Sequence, residues 1–263
     1  MAGLGWQRRG FFSINRLIPN AVTLLAVCAG MTAIRYALQG RWEVAVGAVV
    51  VAMVLDAMDG RIARLMRATS EFGAQLDSLS DVINFGVAPA LIVYLWSTHQ
   101  IRGMGWALAL VFAICCALRL ARFNTSLADE NPPPWAGTFF VGVPAPAGAG
   151  LALLPMALSF TFAEELFRAP ILNILTTLGV AALMVSRIPT YSTKRVHIKR
   201  QHAGFVLLGA GALGAFLVST PWITLSVVGL LYAISIPFSI RAFQKVQNQN
   251  DPGPKTENQS KEG

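Results

Sequence analysis

Eight stretches of mostly apolar residues follow one another along this chain, at about 17–38, 43–66, 74–97, 103–121, 141–162, 170–186, 203–219 and 222–240. Crossing a ~30 Å hydrocarbon layer as a helix takes about 20 such residues, so the repetition predicts an all-α, polytopic membrane protein with about eight transmembrane helices. The charge content agrees. Only 13% of the 263 residues are charged and 54% are hydrophobic, whereas soluble domains carry roughly a quarter charged residues. The last two runs are joined only by the Thr220-Pro221 corner.

Basic residues orient the bundle, because positively charged loops stay on the cytoplasmic side. With eight crossings and both ends on one face, that face holds 17 of the 21 Lys and Arg, and the other holds only Arg35, Arg41, Arg102 and Arg168. The first face is therefore expected to be cytoplasmic. In a bacterium that means the inner membrane. The net charge of +8 then reads as topology and attraction to anionic membrane lipids, and no nucleic-acid partner is expected.

Residues 1–16 mix Trp6, Phe11, Phe12 and Ile14 with Arg8, Arg9 and Arg16, which suits a helix lying along the inner interface. Residues 17–241 form the transmembrane domain, and 242–263, rich in Gln, Asn, Lys, Glu and Pro, read as a disordered cytoplasmic tail. Cys28, Cys115 and Cys116 lie inside apolar runs and receive no function.

The chemistry concentrates between Leu55 and Pro89. Asp56 and Asp59 stand three apart near the cytoplasmic end of the second run, and Asp77 and Asp81 stand four apart at the start of the third. Helical spacing of three or four puts each pair on one face, and a short turn between antiparallel neighbours lets all four converge at the membrane boundary. Each Asp near a helix centre costs on the order of 2.5–3.5 kcal/mol on insertion scales. A compensating cation is expected. An all-oxygen set suits the hard ions Mg²⁺ or Mn²⁺, and the lack of His or Cys in the cluster argues against zinc. Four carboxylates can clamp two such ions in the arrangement used for phosphoryl transfer. The competing explanation is that the aspartates cap helices or pair with Arg61, Arg64 and Arg67. Gly60 within a helix costs about 1 kcal/mol relative to Ala, which implies close approach of a ligand or of a neighbouring backbone.

These residues spell Asp56-x-x-Asp59-Gly60-x-x-Ala63-Arg64, eight residues, then Gly73-x-x-x-Asp77-x-x-x-Asp81, which resembles the signature of the CDP-alcohol phosphotransferases at every position. The resemblance implies a six-helix core with a polar cavity open to the cytoplasm. It implies that Asp56 and Asp77 ligate both of two divalent cations, Asp59 the first, and Asp81 the second while also accepting a proton. It further implies that Asn20, Thr23, Gly60, Arg64 and Ser70 contact the CDP moiety, and that Gly73 lets the nucleotide lie close. A tendency to form homodimers comes with the family, although no residue here demonstrates it.

Further stretches resemble the bacterial members that use serine: Asp81 to Pro89, Arg119-Leu120-Ala121-Arg122-Phe123-Asn124, Gly142-Val143-Pro144-Ala145-Pro146 and Ser186-Arg187-Ile188-Pro189-Thr190. Asn84 departs from them, standing where those enzymes usually carry Ser. The implied reaction transfers a phosphatidyl group from CDP-diacylglycerol to L-serine. Glycerol 3-phosphate, inositol phosphate or choline are alternative acceptors, and a cation transporter is the alternative from another class. Arg119 and Arg122, three apart at the end of the fourth run, share a face that could hold phosphate or the serine carboxylate. They could equally anchor the helix by snorkelling.

Overall fold

The structure, a computed structural model, describes residues 14–127, 139–186, 189–191 and 203–250. Its first helix, α1 (Ile14–Leu38), buries Pro19, Thr23, Ala26, Gly30, Ala33 and Ala37. This is a stripe of small or polar residues spaced alternately four and three apart, which lets a neighbouring helix approach closely. The neighbour is α2 (Trp42–Leu65), whose facing stripe runs Ala45, Val49, Ala52, Asp56 and Asp59 at the same spacing. The two carboxylates therefore lie on the packed seam. On the opposite faces Leu24, Leu25, Met31, Val51, Val54 and Met58 are exposed, as expected where the solvent is lipid.

The connections that set this hairpin are local. Gly40 has φ +70, and the Gly40 and Arg41 N–H groups donate to the Ala37 and Tyr36 carbonyls, closing α1. That is the Schellman pattern with glycine in the left-handed position. After α2 the same pattern recurs, with Arg67 at φ 49 and the Arg67 and Ala68 N–H groups donating to the Arg64 and Ala63 carbonyls. An L-residue held there loses roughly 1–2 kcal/mol. Arg67→Gly is therefore expected to raise thermal stability, by up to about 1 kcal/mol once the entropy of an unfolded glycine is subtracted; a lower melting temperature would show that the Arg67 side chain does something else.

Ser70 then caps α3 (Glu71–Asp81), its Oγ accepting from the Gly73 N–H at 3.0 Å. A π-helical turn (Val82–Val87) follows without a break and leads into α4 (Ala88–Trp96). A 3₁₀ turn (Thr98–Gln100) precedes α5 (Arg102–Leu127). The run expected as one span over 141–162 is divided into α6 (Ala145–Ala152) and α7 (Leu154–Ser159). Pro155 has no N–H to give the preceding turn, which breaks the helix there. The short α8 (Glu164–Arg168) leads to α9 (Pro170–Val185), and α10 (Ala203–Ser219) and α11 (Pro221–Asn250) complete the chain. Two three-residue strands, β1 (Phe139–Val141) and β2 (Pro189–Tyr191), pair antiparallel with Phe140 opposite Thr190.

The protein is an all-α polytopic membrane protein, and its helices fall where the eight apolar runs stand. Among the described residues four helical stretches are long and apolar enough to cross a bilayer: Leu17–Leu38, Glu71–Trp96, Arg102–Ser126 and Pro221–Ser239. The stretches Pro170–Val185 and Val206–Ser219 are apolar but shorter. The 24-residue α2 is long enough but carries Glu43, Asp56, Asp59, Arg61 and Arg64. Most of the interfacial segment proposed over 1–16 lies outside the described residues. Of the expected tail over 242–263, the part to Asn250 continues α11, and 251–263 lie outside them.

Candidate active site

Asp56, Asp59 and Asp77 each offer a carboxylate oxygen, and these three oxygens lie within 4.8 Å of one another. Two helices and one turn produce this meeting. The α2 stripe supplies the first pair, and the Arg67 turn reverses the chain so that the first two turns of α3 bring Asp77 back against them. At an effective dielectric of about 20, two unit charges 4.8 Å apart repel by roughly 3.5 kcal/mol. Helix capping does not explain the arrangement, because Ser70 is the cap of α3 and neither helix uses an aspartate as its N-cap. Pairing with arginine does not explain it either. Among the described residues the only ion pair is Arg168 with Glu164, at 3.1 Å. Three converging oxygen donors without a cationic partner fit a hard divalent ion and could bind one.

Asp81 lies at the edge of this group. Its carboxyl is within side-chain hydrogen-bonding range of Asp56 and feels the charge of Asp77 and of Arg119, while its Oδ1 is buried without a hydrogen-bond partner. The structure thus brings three of the four predicted ligands into one donor set and sets the fourth beside it. Arg119, on α5, lies near enough for its charge to act on Asp81. Only 8% of this residue is exposed, its Nε has no hydrogen-bond partner, and its guanidinium sits 5.4 Å from the Phe123 ring centre.

The residues expected to contact nucleotide take different places. Thr23, 4% exposed, donates to Asp59 Oδ2 at 2.6 Å and so ties α1 to the carboxylates. Arg64 is exposed, with its Nε donating to the Gly60 carbonyl at 3.0 Å. A Cβ placed on Gly60 would meet nothing within 4 Å. No neighbouring backbone accounts for this glycine. Gly73 differs: a Cβ there would lie 3.0 Å from Asn20 Oδ1 and 3.1 Å from Ser70 Oγ. Its space belongs to the α1–α3 crossing, which sets Asn20 and Ser70 side by side. Arg122 is exposed, and its guanidinium donates to the Val185 carbonyl at 2.6 Å, satisfying the last turn of α9. Arg119 and Arg122 therefore part company, one buried toward Asp81 and one binding a helix end.

Two features had no expectation attached to them. An apolar cavity of about 310 Å³ opens between α2, the α6–α7 pair and α11, lined by residues that include Val49, Met53, Leu154, Val228 and Tyr232. Met53 is one helical turn below Asp56, so the cavity begins directly under the carboxylates. The second is Asn84, which is fully buried in the π turn against Gly30. Buried contacts of this kind depend on which helices meet, and the sequence carried no periodic signal for them.

Comparison with known proteins agrees with the geometry. The CDP-alcohol phosphatidyltransferase pattern matches residues 16–188, and a second pattern, CDP-alcohol phosphatidyltransferase 2, matches 204–237. The chain is 37% identical over 235 residues to the CDP-diacylglycerol–serine O-phosphatidyltransferase of Mycobacterium tuberculosis (strain ATCC 25618 / H37Rv), covering 89% of this chain and 82% of that one. It is 40% identical over 182 residues to the enzyme of the same name from Helicobacter pylori (strain ATCC 700392 / 26695), covering 68% and 74%. The one from Methanocaldococcus jannaschii is 31% identical over 227 residues, covering 85% and 94%. With the acidic cluster on two neighbouring membrane helices and a match across most of its length, this chain is a membrane-embedded transferase that belongs to the CDP-alcohol phosphatidyltransferase family.

Proposed function

We propose that the protein transfers the phosphatidyl group of CDP-diacylglycerol to L-serine, forming phosphatidylserine and releasing CMP. The observation that carries this reading is the triad of carboxylate oxygens within 4.8 Å beside the open face at Gly60. Three relatives of 31–40% identity, each bearing the name of that serine-dependent reaction, support the choice of acceptor.

In this reading Asp56, Asp59, Asp77 and Asp81 hold two divalent ions, Mg²⁺ or Mn²⁺. Such ions, when bound, would neutralise the pyrophosphate and the charge that develops on departing CMP. The chain's own residues do the rest. Gly60 and Arg64 present an open, basic face of α2 to the nucleotide, and Asn20 and Ser70 border it. The apolar cavity beneath Met53 accepts the diacylglycerol end, so that the β-phosphorus sits between lipid and nucleotide at the level of the carboxylates. The serine oxygen forms a bond to that phosphorus as the bond to the CMP oxygen breaks. Asp81 takes the hydroxyl proton, and the buried Arg119 guanidinium, within range of Asp81, holds the serine carboxylate. The excess of basic residues on one side of the apolar runs supports a site that faces the cytoplasm from the inner membrane.

The test is to incubate purified protein with CDP-diacylglycerol and Mn²⁺ or Mg²⁺, offering serine, glycerol 3-phosphate, inositol phosphate and choline separately. CMP release is expected with serine, and release with another alcohol alone would overturn the assignment. Gly60→Leu gives a sharper check of the nucleotide face. The side chain has room, so the melting temperature should hold, while KM for CDP-diacylglycerol should rise on the order of tenfold or more, a loss of about 1.4 kcal/mol. An unchanged KM would remove Gly60 from the nucleotide site.

A further inference from the structure

The turn that follows Asp81 is π-helical over Val82–Val87, inside a membrane span. Such turns are rare, are found mostly as single turns within α-helices, and concentrate at functional sites. At its third residue stands Asn84, fully buried, whose Nδ2 donates to Ser80 Oγ at 3.0 Å and whose Oδ1 has no partner. The amide meets α1 at Gly30, where a Cβ would lie 2.1 Å from Asn84 Oδ1 and 3.4 Å from Asn84 Cα. On its other side the turn abuts α5, where a Cβ on Gly86 would lie 3.2 Å from Cys116 Cβ. An unsatisfied buried amide and a π turn are both unfavourable, and both sit within one turn of Asp81.

The same face of α1 carries Thr23, seven residues before Gly30, and Thr23 holds Asp59. A single helix face thus touches the carboxylate cluster from α2 at one point and the segment bearing Asp77 and Asp81 at another. Beyond the π turn, α4 buries Ile92 and Trp96.

We propose that Asn84 is a positioning residue for the site: keyed into the notch at Gly30, its amide fixes the π turn and with it the rotation that holds Asp77 and Asp81 against Asp56 and Asp59. This rests on the catalytic reading above, and its effect passes through the aspartates.

The experiment compares Gly30→Ala, Asn84→Ala and the double variant with wild type in detergent. Mn²⁺ binding by the protein alone, melting temperature, and kcat and KM for serine-dependent CMP release are all read. Gly30→Ala is expected to weaken Mn²⁺ binding and lower kcat by up to about 10²-fold, as misplacement of reacting groups by about 1 Å can do. Asn84→Ala should lower kcat less and leave KM for CDP-diacylglycerol unchanged. The double variant should recover to the level of Asn84→Ala, since removing the amide removes the clash. Equal Mn²⁺ binding in wild type and Gly30→Ala, or a double variant no better than Gly30→Ala, would overturn the proposal. If wild type releases no CMP with serine, the functional reading fails, while the Mn²⁺ titrations still decide the role of Asn84.

Discussion

Asp81→Asn is expected to lower kcat for CMP release by about 10²–10⁴-fold, the range over which a positioned general base contributes. The substitution keeps the shape of the side chain and removes its capacity to take a proton. Asp56, Asp59 and Asp77 form a donor set without it, so binding of CDP-diacylglycerol should persist. Asp81 is the carboxylate outside that set, and it feels the charge of Arg119, which in the proposed reading holds the acceptor's own carboxylate. Equilibrium binding of the donor lipid, measured alongside single-turnover CMP release, separates the two effects. Retained turnover would remove Asp81 as the base, and lost binding would make it chiefly a ligand.

Asp56→Asn should stabilise the metal-free protein and abolish the further stabilisation that metal confers. Without metal, Asp56 faces Asp59 and Asp77 within 4.8 Å, and each such pair repels by roughly 3.5 kcal/mol at an effective dielectric of about 20. Neutralising one member relieves two of these pairs, so the metal-free variant should melt higher than wild type, by about 2–4 °C for each kcal/mol gained in a chain of this size. Adding Mn²⁺ at 100 times its Kd stabilises a binding protein by about 2.7 kcal/mol. Wild type should show that rise and the variant should lose it, with CMP release falling to background. Melting curves in EDTA and in saturating Mn²⁺ check both halves. A variant less stable under both conditions would mean that Asp56 is held by contacts other than metal.

The sequence shows much of this site because its geometry is local. The stripe Ala45, Val49, Ala52, Asp56, Asp59 is a helical repeat visible by counting, and Asp77 and Asp81 follow after a turn too short to carry them away. The places where sequence and structure part are tertiary. Gly73 stands against Asn20 of an adjacent helix and Ser70 of its own cap, and the first of these contacts has no local signature. Arg119 and Arg122 looked like a pair, yet Arg122 binds the end of α9 at Val185, 63 residues away. The run at 141–162 read as one span because hydropathy is blind to the missing N–H of Pro155. The π turn has no composition of its own, and α1 and α5 pack against its Asn84 and Gly86 from two sides.

Locating Mn²⁺ by anomalous X-ray scattering in crystals of the protein grown with CDP-diacylglycerol tests the central claim most directly. The account predicts two peaks among the carboxylates of Asp56, Asp59, Asp77 and Asp81, next to the pyrophosphate. No peak there, or manganese bound only elsewhere, would contradict it.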